Sequence, residues 1–203
     1  DWRVGEHTLT SITAVNDWEY EFTEDQDWSG FDFSQVLPFL PSGGIAPNSW
    51  TETELFSQEF RLLSPSGGSW EYMVGLYYAD AETNRVYENT FPLTFTSSDA
   101  TTSTETFAAF GQLTWRMTDD THLTLGGRYN DEEYTVDYLS EDPAGGTISD
   151  YSDKDADDVI LGRLALQHFL NDESMLFASV TQGYKGGAFE VGGGDDIEPI
   201  DPE

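Results

Sequence analysis

The chain has 203 residues and is strongly acidic, with 39 Asp and Glu residues against 8 Lys and Arg residues and a formal net charge of −31 at pH 7. This charge excludes a nucleic-acid-binding domain, which needs a basic surface. The chain has no cysteine, which excludes disulfides and thiolate metal sites. It also has no run of about 18 apolar residues, which excludes a transmembrane helix.

Seven segments alternate apolar and polar residues, a pattern typical of β-strands that have one face in an apolar medium and one in water. In chain order, the apolar faces carry Ile12, Ala14, Trp18, Tyr20 and Phe22; Phe56, Phe60 and Leu62; Trp70, Tyr72, Val74, Leu76 and Tyr78; Phe107, Ala109, Leu113, Trp115 and Met117; Leu123, Leu125 and Tyr129; Ile160, Leu164 and Leu166; and Leu176, Ala178, Val180 and Tyr184. A strand needs about 9–11 residues to cross a bilayer. Strands of soluble proteins usually have about five or six, so the length of these segments favours a membrane β-barrel.

The connections between these segments alternate between short and long. The short polar ones are residues 64–69, 118–121 and 171–174. The long ones, which are Gly-rich, Thr/Ser-rich or acidic, are residues 24–51, 87–105 and 139–158. Outer-membrane barrels have short periplasmic turns and long extracellular loops. The pattern therefore predicts an all-β fold: an antiparallel up-and-down transmembrane β-barrel, here a partial arc of about seven strands.

Four phrases carry a resemblance to a known family: SQEFRLLSP (57–65), WEYMVGLYYAD (70–80), AAFGQLTWRMTDDTHLTLGGRYNDEE (108–133) and LALQHFLNDESMLFASVTQGYKGGAFE (164–190). Together they resemble the TonB-dependent receptor family of outer-membrane transporters, whose members commonly read AxFGQ…LTD…LTLTAGLRY and later YASYSxGYKSGGFN. Against the second phrase, this chain has Phe177 for Tyr, Ala188 for Gly and Glu190 for Asn.

The resemblance implies a 22-stranded barrel with an N-terminal plug domain, fuelled through TonB by an inner-membrane complex. It implies that residues 1–203 are part of the barrel domain, without the plug and the C-terminal strands. Within that part we expect residues 192–203, which are rich in Gly, Pro and acid, to be a poorly ordered loop. The implied location is the outer membrane of a Gram-negative bacterium. The implied partners are TonB, outer-membrane lipid and a small-molecule ligand such as a metal chelate, with no nucleic acid.

The function that the resemblance implies is active uptake of a scarce nutrient: an iron–siderophore complex, cobalamin, haem or an oligosaccharide. A passive porin-like barrel and a secreted soluble β-sandwich that binds glycans remain alternatives. The sequence contains no nucleophile elbow, phosphate loop or zinc motif. We therefore expect a protein that is not an enzyme and has no cofactor or bound metal.

Two charged pairs are predicted on polar strand faces that line the barrel interior: Glu59 with Arg61, and Arg128 with Glu132. They could guide substrate or contact the plug. Alternatively, the charges of each pair could simply neutralise one another, because unpaired buried charges are costly. The second interpretation is favoured, since polar barrel interiors usually look like this.

Three loop features complete the predictions. Loop aromatic residues could form a ligand-binding surface or anchor the loops; they are Trp28, Phe31, Phe33, Phe39 and Trp50. The acidic stretch 139–158 could bind Ca²⁺, but it lacks EF-hand spacing, and a solvated extracellular loop is favoured. Residues 184–187 (Tyr-Lys-Gly-Gly) predict a strand that leaves the membrane through a bulge or bend.

Overall fold

The fold is described from a computed structural model, which places residues 1–24, 30–31, 33–36, 38, 47–91, 94–142, 144–189, 191, 197, 199–200 and 202. Eight strands form one antiparallel sheet in which each strand pairs with its neighbours in sequence. They are β1 (Trp2–Val4), β2 (His7–Thr23), β3 (Asn48–Leu63), β4 (Trp70–Phe91), β5 (Thr94–Thr118), β6 (Thr121–Glu141), β7 (Thr147–Asn171) and β8 (Ser174–Thr181). Two further short strands, β9 (Ala188–Phe189) and β10 (Pro199–Ile200), pair with each other, and residues Phe33–Gln35 form a 3-10 turn. None of the helical structure in the described part of the chain is long and apolar enough to cross a membrane.

The central strands are much longer than a bilayer requires. Strands β4 to β7 have 22, 25, 21 and 25 residues. At about 3.3 Å per residue, 25 residues extend about 80 Å, against a hydrocarbon thickness of about 30 Å. These strands therefore continue far beyond one side of any membrane that they cross.

This length corrects the prediction of long loops at residues 87–105 and 139–158. Most of both stretches is paired strand, as the partners Tyr87↔Ser98 and Leu139↔Asp150 show. Asp is depleted in strands, whereas Thr is enriched in them, so the Thr-rich stretch is compatible with a strand and the Asp-rich one is not favoured as one. The cross-strand hydrogen bonds continue into them from the apolar part of each hairpin, so they extend the strands rather than form loops.

Cross-strand partners point to the same side of a sheet, so the register sorts the side chains into two faces. The outer face carries Leu125 and its partners Leu113 and Leu164, and the inner face carries Arg128 and its partners Phe110 and Leu161. The inner face is the more enclosed one, because it holds the buried side chains of β5 and β6: Ala100, Ala108, Asn130, Tyr134, Val136 and Ser140.

The outer face carries an apolar belt without any Asp, Glu, Lys or Arg. It runs from Trp70 to Tyr78 on β4, and from Phe107 to Trp115 on β5, and continues across the facing parts of β6 and β7. Each of these two stretches is nine residues long, which matches the about 9–11 residues of a membrane-spanning strand. At the short-turn end, the rings of Trp70 and Trp115 stack at 5.1 Å, as in the aromatic girdles of membrane barrels.

The uncharged part of the outer face, which includes the belt, ends at a carboxylate on every long strand. Beyond the belt, the first acidic residues on the outer face are Asp17, Glu54, Asp80, Glu105, Asp131 and Asp158, on β2 to β7 in turn. Several of these carboxylates are direct cross-strand partners, such as Asp80 and Glu105. Like charges placed this way repel each other unless water screens them, so this part of the outer face belongs in water.

The register also corrects the face predicted for the first strand. Ile12 pairs with Glu59, and Trp18 pairs with Thr53. The series Ile12, Ala14, Trp18, Tyr20 and Phe22 therefore lies on the inner face, not on the face of the apolar belt. Trp18, Tyr20 and Phe22 lie beyond Asp17, where the outer face is acidic. Their apolar side chains therefore mark the inner face of the sheet.

Candidate functional site

The inner face carries all four charged residues that the sequence singled out, but only one of the two pairs is an ion pair. Arg61 donates from Nε to Oε1 of Glu59. Arg128 and Glu132 do not contact each other directly, and Asn130 lies between them. The Arg128 Nε donates to Asn130 Oδ1 at 2.5 Å, and Asn130 Nδ2 donates to Glu132 Oε1 at 3.5 Å. The prediction that these charges guide substrate or contact a plug stays untested.

The Glu132 carboxylate is hydrogen-bonded by two tyrosines and not by Arg128. Its Oε2 accepts hydrogen bonds from the hydroxyls of Tyr134, at 2.6 Å, and of Tyr184, at 2.9 Å. Burial raises the pKa of Tyr134, and the hydrogen bond to Glu132 raises it further. The Tyr134 hydroxyl therefore stays protonated and remains a donor throughout the physiological pH range.

Tyr184 reaches this cluster because the chain after β8 turns inward. Strand β8 ends at Thr181, and we call residues 182–189 the strap. The Gly187 N–H donates to Tyr134 Oη at 3.0 Å. Just beyond the strap, Arg85 Nη2 donates to the Val191 carbonyl at 2.9 Å. The prediction that Tyr184 continues the apolar face of its strand is wrong, because its hydroxyl points at a carboxylate of the inner face.

Two of the three glycines of the strap, Gly186 and Gly187, permit its close approach to β6. A Cβ at Gly186 would lie 2.8 Å from Glu132 Oε2, and one at Gly187 would lie 3.1 Å from the Ile200 carbonyl and 3.2 Å from the Tyr134 ring. The Gly-Gly of the sequence thus allows the chain to pack against the inner face. Strand β8 ends before residues 184–187, and the chain there lies against the inner face; the predicted bulge or bend at these residues stays a prediction.

An aromatic column lies on the inner face of β2. The rings of Trp18 and Tyr20 stack at 5.8 Å with an interplanar angle of 3°, and those of Tyr20 and Phe22 stack at 6.1 Å and 12°. Their cross-strand partners on β3 are the hydroxyl residues Thr53, Thr51 and Ser49. The three residues are between 43% and 49% exposed, so the column presents aromatic surface beside a row of hydroxyls. Such a surface suits stacking of a planar ligand group.

The predicted loop aromatic residues contribute less to the inner face than the aromatic column does. Trp28 and Phe39 lie outside the described residues, and only the backbone of Phe33 is described. Phe31 is 49% exposed. Trp50 pairs with Glu21 and Val86 on the outer face of β3, so it points away from the inner face. The aromatic column was missed because its alternation resembles that of a membrane-facing strand.

The acidic stretch is part of the β6–β7 hairpin. The pKa of Asp153 lies below its usual value because the carboxylate accepts hydrogen bonds from the Tyr151 hydroxyl and the Lys154 N–H. Lys154 pairs with Glu133 at 2.6 Å. Within the described ranges, no group of three or more His, Asp or Glu side chains is arranged to hold a metal ion. Nothing in this geometry favours the Ca²⁺ alternative.

One antiparallel sheet with an apolar outer belt and a polar, more enclosed inner face defines an arc of a transmembrane β-barrel wall. The profile of the family described as "TonB dependent receptor-like, beta-barrel" matches residues 2–202. The chain therefore belongs to the TonB-dependent receptor β-barrel family, as the sequence phrases indicated.

Relatives of known description agree with this assignment. The chain is 27% identical over 187 residues to a pesticin receptor of Yersinia enterocolitica, and 28% identical over 188 residues to the one of Yersinia pestis. Each match covers 91% of this chain and 27% of the relative. A solved structure, the ferric yersiniabactin uptake receptor FyuA from Yersinia pestis, shares the fold with a TM-score of 0.82 at 22% identity, over 99% of this chain and 30% of FyuA. The chain thus spans less than a third of the length of these proteins.

Proposed function

We propose that this chain is part of the barrel wall of a TonB-dependent receptor in the outer membrane of a Gram-negative bacterium. The full receptor takes up a scarce nutrient, with energy delivered through TonB. The observation that carries the proposal is the uncharged part of the outer face, which includes the apolar belt of β4 to β7 and ends at a carboxylate on each of six neighbouring strands. A boundary of this kind is expected where strands leave hydrocarbon for water.

The direction of the strands follows from the same boundary. The turns at residues 64–69, 119–120 and 172–173 lie at the end of the sheet near the belt, and we assign them to the periplasmic side. The long acidic strand extensions lie at the other end and reach outside the cell, where they surround the ligand entrance. Short periplasmic turns are the rule in outer-membrane barrels.

Among the nutrients considered, we favour a ferric chelate over cobalamin, haem or an oligosaccharide. FyuA is described as a receptor for ferric yersiniabactin uptake. The aromatic column of Trp18, Tyr20 and Phe22 adds a surface on which planar chelator groups can stack. We infer that the chain has no catalytic activity, because its family consists of receptors.

The proposal is tested in the native organism grown without free iron. Deleting the full gene should abolish uptake of ⁵⁵Fe presented as the organism's own ferric chelate, and the full-length gene should restore it. Disrupting TonB should abolish uptake to the same degree. Uptake that depends on the gene but not on TonB would support the porin-like alternative instead. The β-sandwich alternative is excluded, because a sandwich needs two packed sheets and the described residues form one large sheet and a second sheet of only two strands with two residues each.

A further inference from the structure

The inner face behind the apolar belt is rich in arginine, although the chain as a whole is acidic. This region runs from the row of Glu59 and Asn130 down to the short-turn end. It holds five of the eight basic residues of the chain but only three carboxylates, Asp1, Glu59 and Glu71. The arginines are Arg3, Arg61, Arg116, Arg128 and Arg163. Positive charge is thus concentrated where the barrel wall faces inward.

Two of these arginines are neutralised by two of these carboxylates, Glu59 and Glu71. Arg61 pairs with Glu59, and Arg116 Nη2 lies 2.7 Å from Glu71 Oε1. Arg3, Arg128 and Arg163 take part in none of the ion pairs found among the described residues. Arg3 and Arg163 are exposed, whereas Arg128 is partly buried, so Arg128 is the one whose missing counter-charge costs most.

The Arg128 guanidinium is held in place without a carboxylate. Its Cζ lies 5.5 Å from the centroid of the Tyr77 ring and 5.7 Å from that of the Phe110 ring. Both distances are within the range of cation–π attraction. The Phe110 ring is itself fixed, because it packs over Gly75, where a Cβ would lie only 2.4 Å from the ring.

The hydrogen bonds of the Arg128 guanidinium leave most of its N–H donors available. Nε is used by Asn130, which is the guanidinium's hydrogen-bond acceptor within the described part of the chain. The nearby Glu132 is engaged by Asn130, Tyr134 and Tyr184. A fixed, planar guanidinium with free Nη donors is the arrangement that binds a carboxylate through two parallel hydrogen bonds.

We propose that Arg128 is an anion-binding site that takes a carboxylate group inside the barrel. The carboxylate could belong to a small molecule that passes through the receptor or to the polypeptide that fills the barrel interior. Both sources present the same chemistry to the guanidinium. The purified full-length receptor can distinguish them.

The experiment compares three receptors: the parent, Arg128→Gln and Arg163→Gln. Arg163→Gln is the matched control, since it removes the same charge from the same face at an exposed position without an aromatic clamp. The first measurement is the shift in Tm caused by citrate, which serves as a soluble carboxylate probe. The second is hydrogen–deuterium exchange in the polypeptide that lies inside the barrel.

If the site takes a small-molecule carboxylate, citrate raises the Tm of the parent and of Arg163→Gln. The apparent citrate affinity of Arg128→Gln is then weaker by about tenfold or more, as expected for a charged hydrogen bond. If the site holds a polypeptide carboxylate, the citrate response does not depend on Arg128. Exchange inside the barrel is then faster in Arg128→Gln than in Arg163→Gln.

The proposal is overturned if the two variants behave alike in both measurements, because bulk charge alone would then explain the effect. If Arg128→Gln does not assemble, Arg128→Lys replaces it, since lysine keeps the charge but loses the planar fork. Arg128→Lys must then differ from Arg163→Gln in one of the two measurements. Neither measurement depends on transport, so failure here leaves the proposed uptake function standing.

Discussion

Leu125 and Thr124 are neighbours in sequence, yet they face two different media. Leu125 lies on the outer face, 47% exposed and paired with Leu113 and Leu164, whereas Thr124 lies on the inner face, paired with Thr114 and Ala165. The two positions therefore offer a matched pair for testing the assignment of faces.

We predict that Leu125→Arg impairs barrel assembly much more than Thr124→Arg. An arginine on the lipid face costs about 2–4 kcal/mol near the middle of the bilayer, whereas a polar interior tolerates it. The measurement is the fraction of full-length receptor that runs as the compact, heat-modifiable form in gel electrophoresis. Equal assembly of both variants would refute the assignment of faces.

Gly186 and Gly183 provide a second matched pair, within the strap. A Cβ at Gly186 would lie 2.8 Å from Glu132 Oε2, whereas one at Gly183 would meet nothing within 4 Å. We predict that Gly186→Val displaces the strap from the inner face and that Gly183→Val leaves it in place. The readout is the mobility of a spin label at position 185, introduced by Lys185→Cys into a chain without other cysteines.

The expected spectrum has a slow label in the parent and in Gly183→Val, and a faster one in Gly186→Val. A label that is equally mobile in all three would contradict the docked strap.

The sequence predicted an ion pair between Glu59 and Arg61, which occurs. It did not predict the cluster around Glu132, because Tyr134 and Tyr184 are 50 residues apart and meet only when the chain after β8 turns inward.

The alternation of apolar and polar residues predicts the face of each side chain in one part of the strands and not in the other. Alternation predicted the paired faces of β3 to β8 within the belt, because lipid on one side and a polar interior on the other impose period two. Beyond the belt, water contacts both faces of the sheet. The alternation of apolar and polar residues therefore no longer indicates on which face a side chain lies. This is why the sequence predicts a loop in the Thr/Ser-rich half of the β4–β5 hairpin, where the structure has strand, and why it predicts the wrong face for the aromatic residues of β2.

We predict that the β4–β5 hairpin can be shortened without loss of barrel assembly. Ala81 and Thr104 are cross-strand partners, so replacing residues 82–103 with Asn-Gly joins them through a two-residue turn that keeps the register. The belt from Trp70 to Tyr78 and from Phe107 to Trp115 is untouched. Assembly, measured by heat modifiability, should remain at the parent level, whereas binding of the proposed ligand, a ferric chelate, should weaken.

Deletion of Leu76 alone is the control for this variant. A one-residue slip moves the following side chains of β4 to the opposite face, so this smaller deletion should abolish assembly. A shortened hairpin that fails to assemble would mean that the extension is needed to form the barrel and is not only a surface outside the membrane.

At the scale of the whole molecule, charge and hydrophobicity are sorted along and across the sheet. Carboxylates dominate the extensions, arginines line the inner face behind the belt, and the belt itself is uncharged. This arrangement explains how a chain with a net charge of −31 can still present an apolar surface to lipid. The ligand class is not encoded in the belt and could not be predicted from it, since lipid imposes the same pattern on every membrane barrel.

The central claim, that this sheet is a membrane-spanning wall with its boundary at the carboxylates, can be tested along one strand. Single spin labels are placed at each position from 70 to 90 in the full-length receptor in bilayers, and their accessibility to molecular oxygen is measured. We predict maxima at the even positions from 70 to 78, because oxygen concentrates in hydrocarbon, and loss of this alternation from Asp80 onward. Accessibility without period two, or alternation that continues unchanged to position 90, would contradict the account.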